Sequence, residues 1–122
     1  MVKQSLQTVV YDSQAVMEDL VDEVYQLVKK PGAGQAWRSW QENEIGRGGL
    51  RTNFVEKLPT LAVPTLILHG AEDRYVPLAW ARRAHTLIED SELKVFPRCG
   101  HWLTLERPGE FNRGVLEFLA RE

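Results

Sequence analysis

The sequence predicts an α/β fold, and three observations carry the prediction. Residues 61–68 read LAVPTLIL, a near-continuous apolar run that ends at Gly70 and fits a strand buried on both faces of a parallel sheet. From Pro64 onward the apolar patterns follow the order strand, helix, strand, helix, which requires a right-handed crossover with helices on the sheet faces. The length of 122 residues, with 43% hydrophobic and 26% charged residues, suits a single globular domain at most.

The segment 1–58 is predicted to be helical. Over residues 13–30 apolar side chains recur at three- and four-residue steps with acids between them, which indicates an amphipathic helix. Asp12 or Ser13 can cap its start, because either side chain can accept from the free amides of the first turn. The helix is expected to close at the sequence KKPG, residues 29–32.

A shorter helix is predicted over residues 35–44. Trp37 and Trp40 lie three residues apart in it, a spacing typical of a helix face packed on the core. Residues 46–49 read GRGG, and we expect this loop to be too rich in glycine for a regular element.

The segment 59–122 is predicted to carry two strands and two helices. Pro64 is expected at the start of the first strand, because inside a central strand it would remove a hydrogen bond of the sheet. A helix follows over 78–88, with Trp80 on its apolar side, then a short strand over 93–96 and a final helix over 109–120 with Leu119 on its apolar stripe. Two strands make an incomplete parallel sheet, so further strands are expected from elsewhere.

Composition excludes several classes of function. The net charge is −2 with no basic stripe, so nucleic acid is not an expected partner. No stretch approaches the roughly 20 apolar residues of a membrane span, and residues 1–11 are too polar for a signal-peptide core. The single cysteine, Cys99, cannot form an internal disulfide. We therefore expect a cytoplasmic protein that uses no cofactor, metal ion or membrane.

Candidate catalytic residues follow the two predicted strands. Loop 69–77 (HGAEDRYVP) contains Asp73, and loop 97–102 (PRCGHW) contains His101. The carboxyl ends of parallel strands meet at one edge of a sheet, so we expect these side chains to meet. A carboxylate that orients an imidazole makes it a general base. Glu72 is the rival acid.

Other residues of these loops have simpler interpretations. Trp102 is a candidate for lining a substrate pocket, although packing explains an aromatic side chain there equally well. Cys99 lies two residues from His101, a spacing that rarely brings side chains together, so a buried, inert thiol is expected. His69 and His85 have no second His or Cys at ligand spacing, and no metal site is predicted.

These loops resemble the carboxyl-terminal part of an α/β-hydrolase. The resemblance rests on VPTLILHGAEDRYVP (residues 63–77) and CGHW (99–102), followed by Glu106 and Pro108. It implies that Asp73 is the triad acid, that His101 is the triad base, and that residues 1–58 are a cap-like segment preceding a core segment, 59–122. The family's G-x-S-x-G elbow is absent from these residues, as is its oxyanion-hole loop.

A finer resemblance is to the hydrolases that cleave carbon–carbon bonds in ring-fission products of aromatic degradation. It rests on CGHW (99–102), Glu106 and the stretch 111–119. In that group a cap-helix arginine contacts the substrate, and Val24 occupies the corresponding position here. Hydrolysis of esters or other acyl compounds therefore stays equally open.

Three functions remain compatible with the sequence. The chain is a truncated or fragmentary hydrolase that is inactive alone, a non-catalytic binding module that dimerises, or one subunit of a split hydrolase whose partner chain supplies the serine. Only a completed enzyme would take a small-molecule substrate. We expect a homodimer that uses the open edge near residues 65–68, or the helix face of Val16, Leu20 and Val24.

Overall fold

The computed structural model describes residues 1–121. Its helices, with the two 3₁₀ segments in their places, are α1 Val2–Val9, a 3₁₀ turn Ser13–Ala15, α2 Glu18–Val28, α3 Gln35–Glu44, a 3₁₀ segment Val55–Thr60, α4 Leu78–Leu87, α5 Leu103–Glu106 and α6 Pro108–Leu119. Its strands are β1 Ile45–Gly46, β2 Gly49–Leu50, β3 Thr65–Gly70 and β4 Ser91–Phe96. Within this described part, none of the helices has the length and apolar character needed to cross a membrane.

The predicted strand–helix–strand–helix unit is present. Strands β3 and β4 pair in parallel, with Thr65 opposite Ser91 and Gly70 opposite Phe96. Helix α4 connects them and packs against both strands, and α6 packs against β3. The parallel register brings both carboxyl ends to the same edge, as the sequence predicts.

The expected burial of the first strand was wrong. The run 61–68 is not one strand: Leu61 and Val63 are 40% and 61% exposed, and the strand begins only after Pro64. Proline has no amide hydrogen to donate, so pairing starts with the next residue, Thr65, whose amide bonds Asp90 O at 2.9 Å. Residues 65–69 are half-buried rather than buried, because β3 pairs with β4 alone in the described part of the chain.

Helix α1 lies in the segment 1–58 that is predicted to be helical, but no individual helix is predicted there before residue 13. Its Leu6 packs with Val10 and Val16 in a buried cluster, and Leu20 and Val24 of α2 pack against that cluster. From the sequence, the apolar face of α2 is expected to be covered by a second copy of the chain. In the structure, helix α1 of the same chain covers that face. In the sequence, residues 1–11 are used only to exclude a signal peptide, and no helix is predicted from them.

The predicted helix over 13–30 is interrupted. Asp12 does cap a helical start, since its Oδ1 accepts from the amide of Gln14 at 2.9 Å, but the turn that it caps is a 3₁₀ turn. Regular helix begins only at Glu18. Val16, between the two, has a non-helical backbone and is 4% exposed in the α1–α2 cluster, so its burial accompanies the break.

Residues 35–50 depart from the sequence prediction in two ways. The loop 46–49 is not irregular: it joins β1 to β2 in a small antiparallel hairpin, where Gly49 has φ +110°, a conformation that favours glycine. Trp37 and Trp40 do not pack on a core: their rings stack on each other 4.8 Å apart and are 62% and 43% exposed.

The carboxyl-terminal helices lie close to their predicted positions. Phe96, Cys99 and Leu103 form the second buried cluster, with Leu68 of β3 and Phe111 of α6 packed against it. Two predicted apolar contacts were wrong, because Trp80 is 63% exposed and Leu119 is 71% exposed. Trp80 lines an open cavity with Leu50, Phe54 and Leu58, and Leu119 is the last residue of α6.

Candidate active site

Asp73 and His101 meet at the edge of the sheet where β3 and β4 end. Asp73 Oδ2 lies 2.8 Å from Nδ1 of His101. Its other oxygen, Oδ1, accepts from the amides of Tyr75 at 2.8 Å and Val76 at 2.9 Å. An ionised carboxylate can only accept, so Nδ1 of His101 carries the hydrogen and Nε2 of the neutral ring is left with a lone pair. The contact predicted from the two loops is thus present.

The environment of Asp73 favours its ionised form. Its side chain is 6% exposed, and this burial opposes ionisation. The amide of Val76, the ring of His101 and the amide of Tyr75 together outweigh burial and hold the pKa of Asp73 below its ordinary value of 3.8. Asp73 is therefore a carboxylate at neutral pH, as an orienting acid must be.

His101 presents its reactive side outward. Its side chain is 41% exposed, and its Nε2 makes no hydrogen bond within the part of the chain that is described. The backbone of His101 is held firmly, since its amide donates to Val9 O at 2.8 Å. The ring of Tyr75 lies 5.5 Å from the His101 ring, and its hydroxyl is 2.7 Å from Thr8 Oγ1. With its backbone fixed and Nε2 without a hydrogen-bond partner in the described residues, this imidazole could accept a proton at Nε2.

Two glycines allow the loops to approach this closely. A Cβ on Gly70 would clash with the backbone oxygens of Gly100 and Cys99. A Cβ on Gly100 would lie 2.8 Å from backbone atoms of residues 9–11. The glycines in the two motifs are thus required by space, and they hold the Asp73 loop, the His101 loop and the segment after α1 in direct backbone contact.

Two glutamates fasten these three segments. Glu72, the rival acid, accepts from the amide of Cys99 at 3.0 Å and is directed away from His101. Glu106 Oε1 accepts from the amide of Gly100 at 2.7 Å, and its Oε2 accepts from those of Tyr11 at 2.7 Å and Asp12 at 3.2 Å. Sequence reasoning missed this role of Glu106: its position in the motif was noted, but its amide partners are distant in the chain.

The remaining motif residues contribute packing. Cys99 is fully buried, and burial followed by the nearby Glu106 carboxylate raises its pKa to about 11. The prediction of an inert thiol is confirmed, because the reactive thiolate is disfavoured at neutral pH. Trp102 packs against the cluster formed by Leu6, Val10 and Val16.

Comparison with known proteins places this geometry in a family. The profile of the alpha/beta hydrolase family matches residues 6–113. The chain belongs to the alpha/beta hydrolase family. This confirms the fold that the two loop motifs imply, and the match begins at residue 6, within α1.

Individual hydrolases are similar to nearly the whole chain. A 2-hydroxy-6-oxononadienedioate/2-hydroxy-6-oxononatrienedioate hydrolase of Pseudomonas sp is 36% identical over 120 residues, which are 98% of this chain and 41% of that protein. A meta-cleavage product hydrolase from Pseudomonas fluorescens IP01, solved with acetates, has a TM-score of 0.82 at 32% identity over 97% of this chain and 44% of that one. A serine hydrolase involved in carbazole degradation has a TM-score of 0.85 at 26% identity, covering 96% and 45%.

These names match the carbon–carbon bond hydrolases that the sequence resembles. The chain spans about two-fifths of the length of the Pseudomonas sp relative. The reactions named for these longer enzymes are therefore properties of the relatives.

Proposed function

We propose that Asp73 and His101 are the acid and the base of a hydrolase triad that cleaves a carbon–carbon bond beside a ketone. The observation that carries the proposal is the 2.8 Å contact between Asp73 Oδ2 and His101 Nδ1. It fixes the ring so that Nε2 faces outward with its lone pair available. The names of the similar proteins support a ring-fission product as the substrate.

The chemistry follows from the protonation states. His101 Nε2 removes a proton from a hydroxyl nucleophile or a water molecule as that oxygen attacks the ketone carbon. The imidazolium that forms is stabilised by the Asp73 carboxylate, whose low pKa keeps it charged. The same proton then passes from Nε2 to the carbon that leaves. The bond between the ketone carbon and its neighbour then breaks, and the shortened enol leaves. Where water attacked, the ketone carbon is released directly as an acid. Where a hydroxyl nucleophile attacked, the acyl group stays on that oxygen as an ester, and a water molecule deprotonated by His101 Nε2 hydrolyses it to the acid and restores the hydroxyl.

The nucleophile is proposed to come from polypeptide outside these 122 residues. The hydroxyls of Ser5, Ser39 and Ser91 are hydrogen-bonded to Met1, Asn43 and the α4–β4 turn, not to His101. The similar proteins are more than twice as long, and one is described as a serine hydrolase. The serine can belong to the same polypeptide or to a separate subunit, as in a split enzyme.

The residue at position 24 bears on how a substrate would be held. Val24 is half-buried against the α1–α2 cluster and presents no charge where the resemblance implies an arginine. A substrate carboxylate must then be held by another group. Ester hydrolysis is the competing activity, because the acid–base pair serves both reactions.

A chimera tests the proposal. The chain replaces the matching two-fifths of the Pseudomonas sp relative, so that the relative supplies its own amino-terminal part. We expect the chimera to consume a 2-hydroxy-6-oxodienoate faster than an activated ester. His101→Ala and Asp73→Asn should each lower kcat by a factor on the order of 10³ to 10⁴.

Two comparisons make the result specific. His85→Ala removes an exposed histidine of α4 outside the site and should leave kcat within about twofold. The chain alone should not exceed its own His101→Ala variant on either substrate. Turnover by the isolated chain, or full activity of the chimera without His101, would disprove the proposed roles.

Self-association is the second candidate function, and the incomplete sheet favours it. Among residues 1–121, β3 and β4 form a sheet of two strands, so each strand has one edge without a β partner. An open edge is a template for another chain, here a second copy. Light scattering on dilute protein should then give twice the mass of 14.0 kDa, and a cooperative monomer would exclude this function.

A free thiol at Cys99 suits the cytoplasm, which we propose as the location.

A further inference from the structure

A second histidine lies beside the acid of the site. His69 is near the end of β3, and its side chain is 10% exposed. Its Nδ1 lies 2.8 Å from the carbonyl oxygen of Gly70. A carbonyl oxygen only accepts, so Nδ1 carries the hydrogen and Nε2 of the neutral ring has none. In the described structure this buried Nε2 has no hydrogen-bond partner.

The unpartnered nitrogen faces the carboxylate that orients His101. Nε2 of His69 lies 3.8 Å from Asp73 Oδ2, the same oxygen that contacts Nδ1 of His101. In the neutral ring two lone pairs face each other across this gap. A proton on Nε2 would convert the contact into attraction, and an approach of about 1 Å would make it a charge-assisted hydrogen bond.

We infer that His69 is a positioning residue that competes with His101 for Asp73. While His69 is neutral, Asp73 is committed to His101 and supports its role as a base. When His69 is protonated, it shares the Asp73 carboxylate with His101. The positive charge on either ring then disfavours protonation of the other ring. The inference rests on the proposed roles of Asp73 and His101. It predicts that protonation of His69 at acidic pH weakens the support that Asp73 gives to His101.

The other carboxylates and the tyrosine of these loops have partners elsewhere, and among the described residues Arg74 and Arg98 make no side-chain hydrogen bond or ion pair to His69 or Asp73. Glu72 and Glu106 accept from backbone amides of the His101 loop, and the Tyr75 hydroxyl contacts Thr8. On the adjacent strand the residue opposite His69 is the apolar Val95. Within 4.0 Å, the carboxylate that His69 contacts in the described chain is that of Asp73. The competition therefore involves three side chains.

Histidine NMR on the intact chain tests this inference. The pH of half-protonation of His101 is followed in wild type, His69→Gln and His69→Phe. Gln keeps a donor near Asp73 without a charge, and Phe removes both. Two like charges that share one carboxylate oppose each other, so both variants should raise the His101 midpoint by about 0.5 pH or more. His85→Gln, on α4, is the matched control and should leave it unchanged.

Asp73→Asn separates this inference from the proposed function. It should lower the half-protonation pH of both His69 and His101, because both rings lose the same carboxylate. If Asp73→Asn lowers the His101 midpoint but neither His69 variant moves it, the His69 inference is overturned and the Asp73–His101 pair stands. If Asp73→Asn has no effect on His101, the pair itself and the inference both fail.

Discussion

The loops that carry Asp73 and His101 differ sharply from the α3–hairpin segment, residues 35–50. Around the site, backbone meets backbone, Cys99 is fully buried, and the carboxylates of exposed Glu72 and half-buried Glu106 accept from amides of distant segments. In the α3–hairpin segment no residue is buried, and Trp37 and Trp40 stack on each other in the open. The site's geometry is thus held by internal contacts of this chain. The α3–hairpin segment has apolar surface that nothing in the described residues covers.

The largest expected effect is that of adding one methyl group to the site. Gly100→Ala would place a Cβ 2.8 Å from backbone atoms of residues 9–11, and backbone cannot move aside as a side chain can. We expect the free energy of unfolding to fall by about 3 kcal/mol or more, measured by urea denaturation.

Gly109→Ala is the matched control for that substitution. Gly109 lies in α6, and a Cβ there meets no atom within 4 Å. Alanine should be neutral or stabilise the helix by up to about 1 kcal/mol. Equal losses in both variants would mean that the close approach at Gly100 does not hold the site together.

The second effect concerns the carboxylate that joins the His101 loop to the segment after α1. Glu106→Gln replaces one accepting oxygen with an amide that donates, so the amide hydrogens of Gly100 or Tyr11 lose their acceptor. The expected loss is about 2 kcal/mol, because hydrogen bonds to a charged group are the strong ones. Glu110→Gln breaks only a surface pair with Arg107 and should cost less than about 1 kcal/mol.

A smaller effect depends on pH. The pKa of Asp73 is lower in the folded chain than its ordinary 3.8, so its stabilising contribution is fully present above that value and is lost as the pH falls through the folded pKa. Asp73→Asn should therefore destabilise the chain at pH 6 and much less at pH 3, measured by thermal unfolding. The exposed Asp22→Asn on α2 is the matched control. A constant difference between wild type and Asp73→Asn would contradict the ionised carboxylate.

The smallest effect is expected in the α3–hairpin segment. Trp40 is 43% exposed and contacts chiefly Trp37, so Trp40→Ala should change the free energy of unfolding by about 1 kcal/mol or less while it alters the tryptophan fluorescence. A loss comparable to that of Gly100→Ala would show that this segment packs as tightly as the site, and the contrast between the two regions would disappear.

Much of the site could be predicted from the sequence. Parallel strands end at a common edge, so an acid of the first loop, Asp73 or Glu72, and His101 of the second are expected to meet without any distance being known. The resemblance to the family's motifs implies that the acid is Asp73. The inert character of Cys99 also followed from its neighbours in the chain. The α1 helix and the break at Val16 were missed, because both depend on a cluster of Leu6, Val10 and Val16 that forms only when α1 and α2 meet.

The sequence by itself determined the α/β class, the order of strands β3 and β4, and the two loops that meet at their ends, because these follow from local periodicity and from the geometry of a parallel pair. The choice of Asp73 over Glu72 is what the resemblance to the α/β-hydrolase motif implies, and the side chain of Asp73 does contact His101. Tertiary structure alone decided which apolar residues are covered, as with Trp80, and which groups share a partner, as with Glu106 and His69. Burial and hydrogen-bond partners depend on segments that are distant in the chain, and a local pattern does not show which distant segment will pack against a given residue.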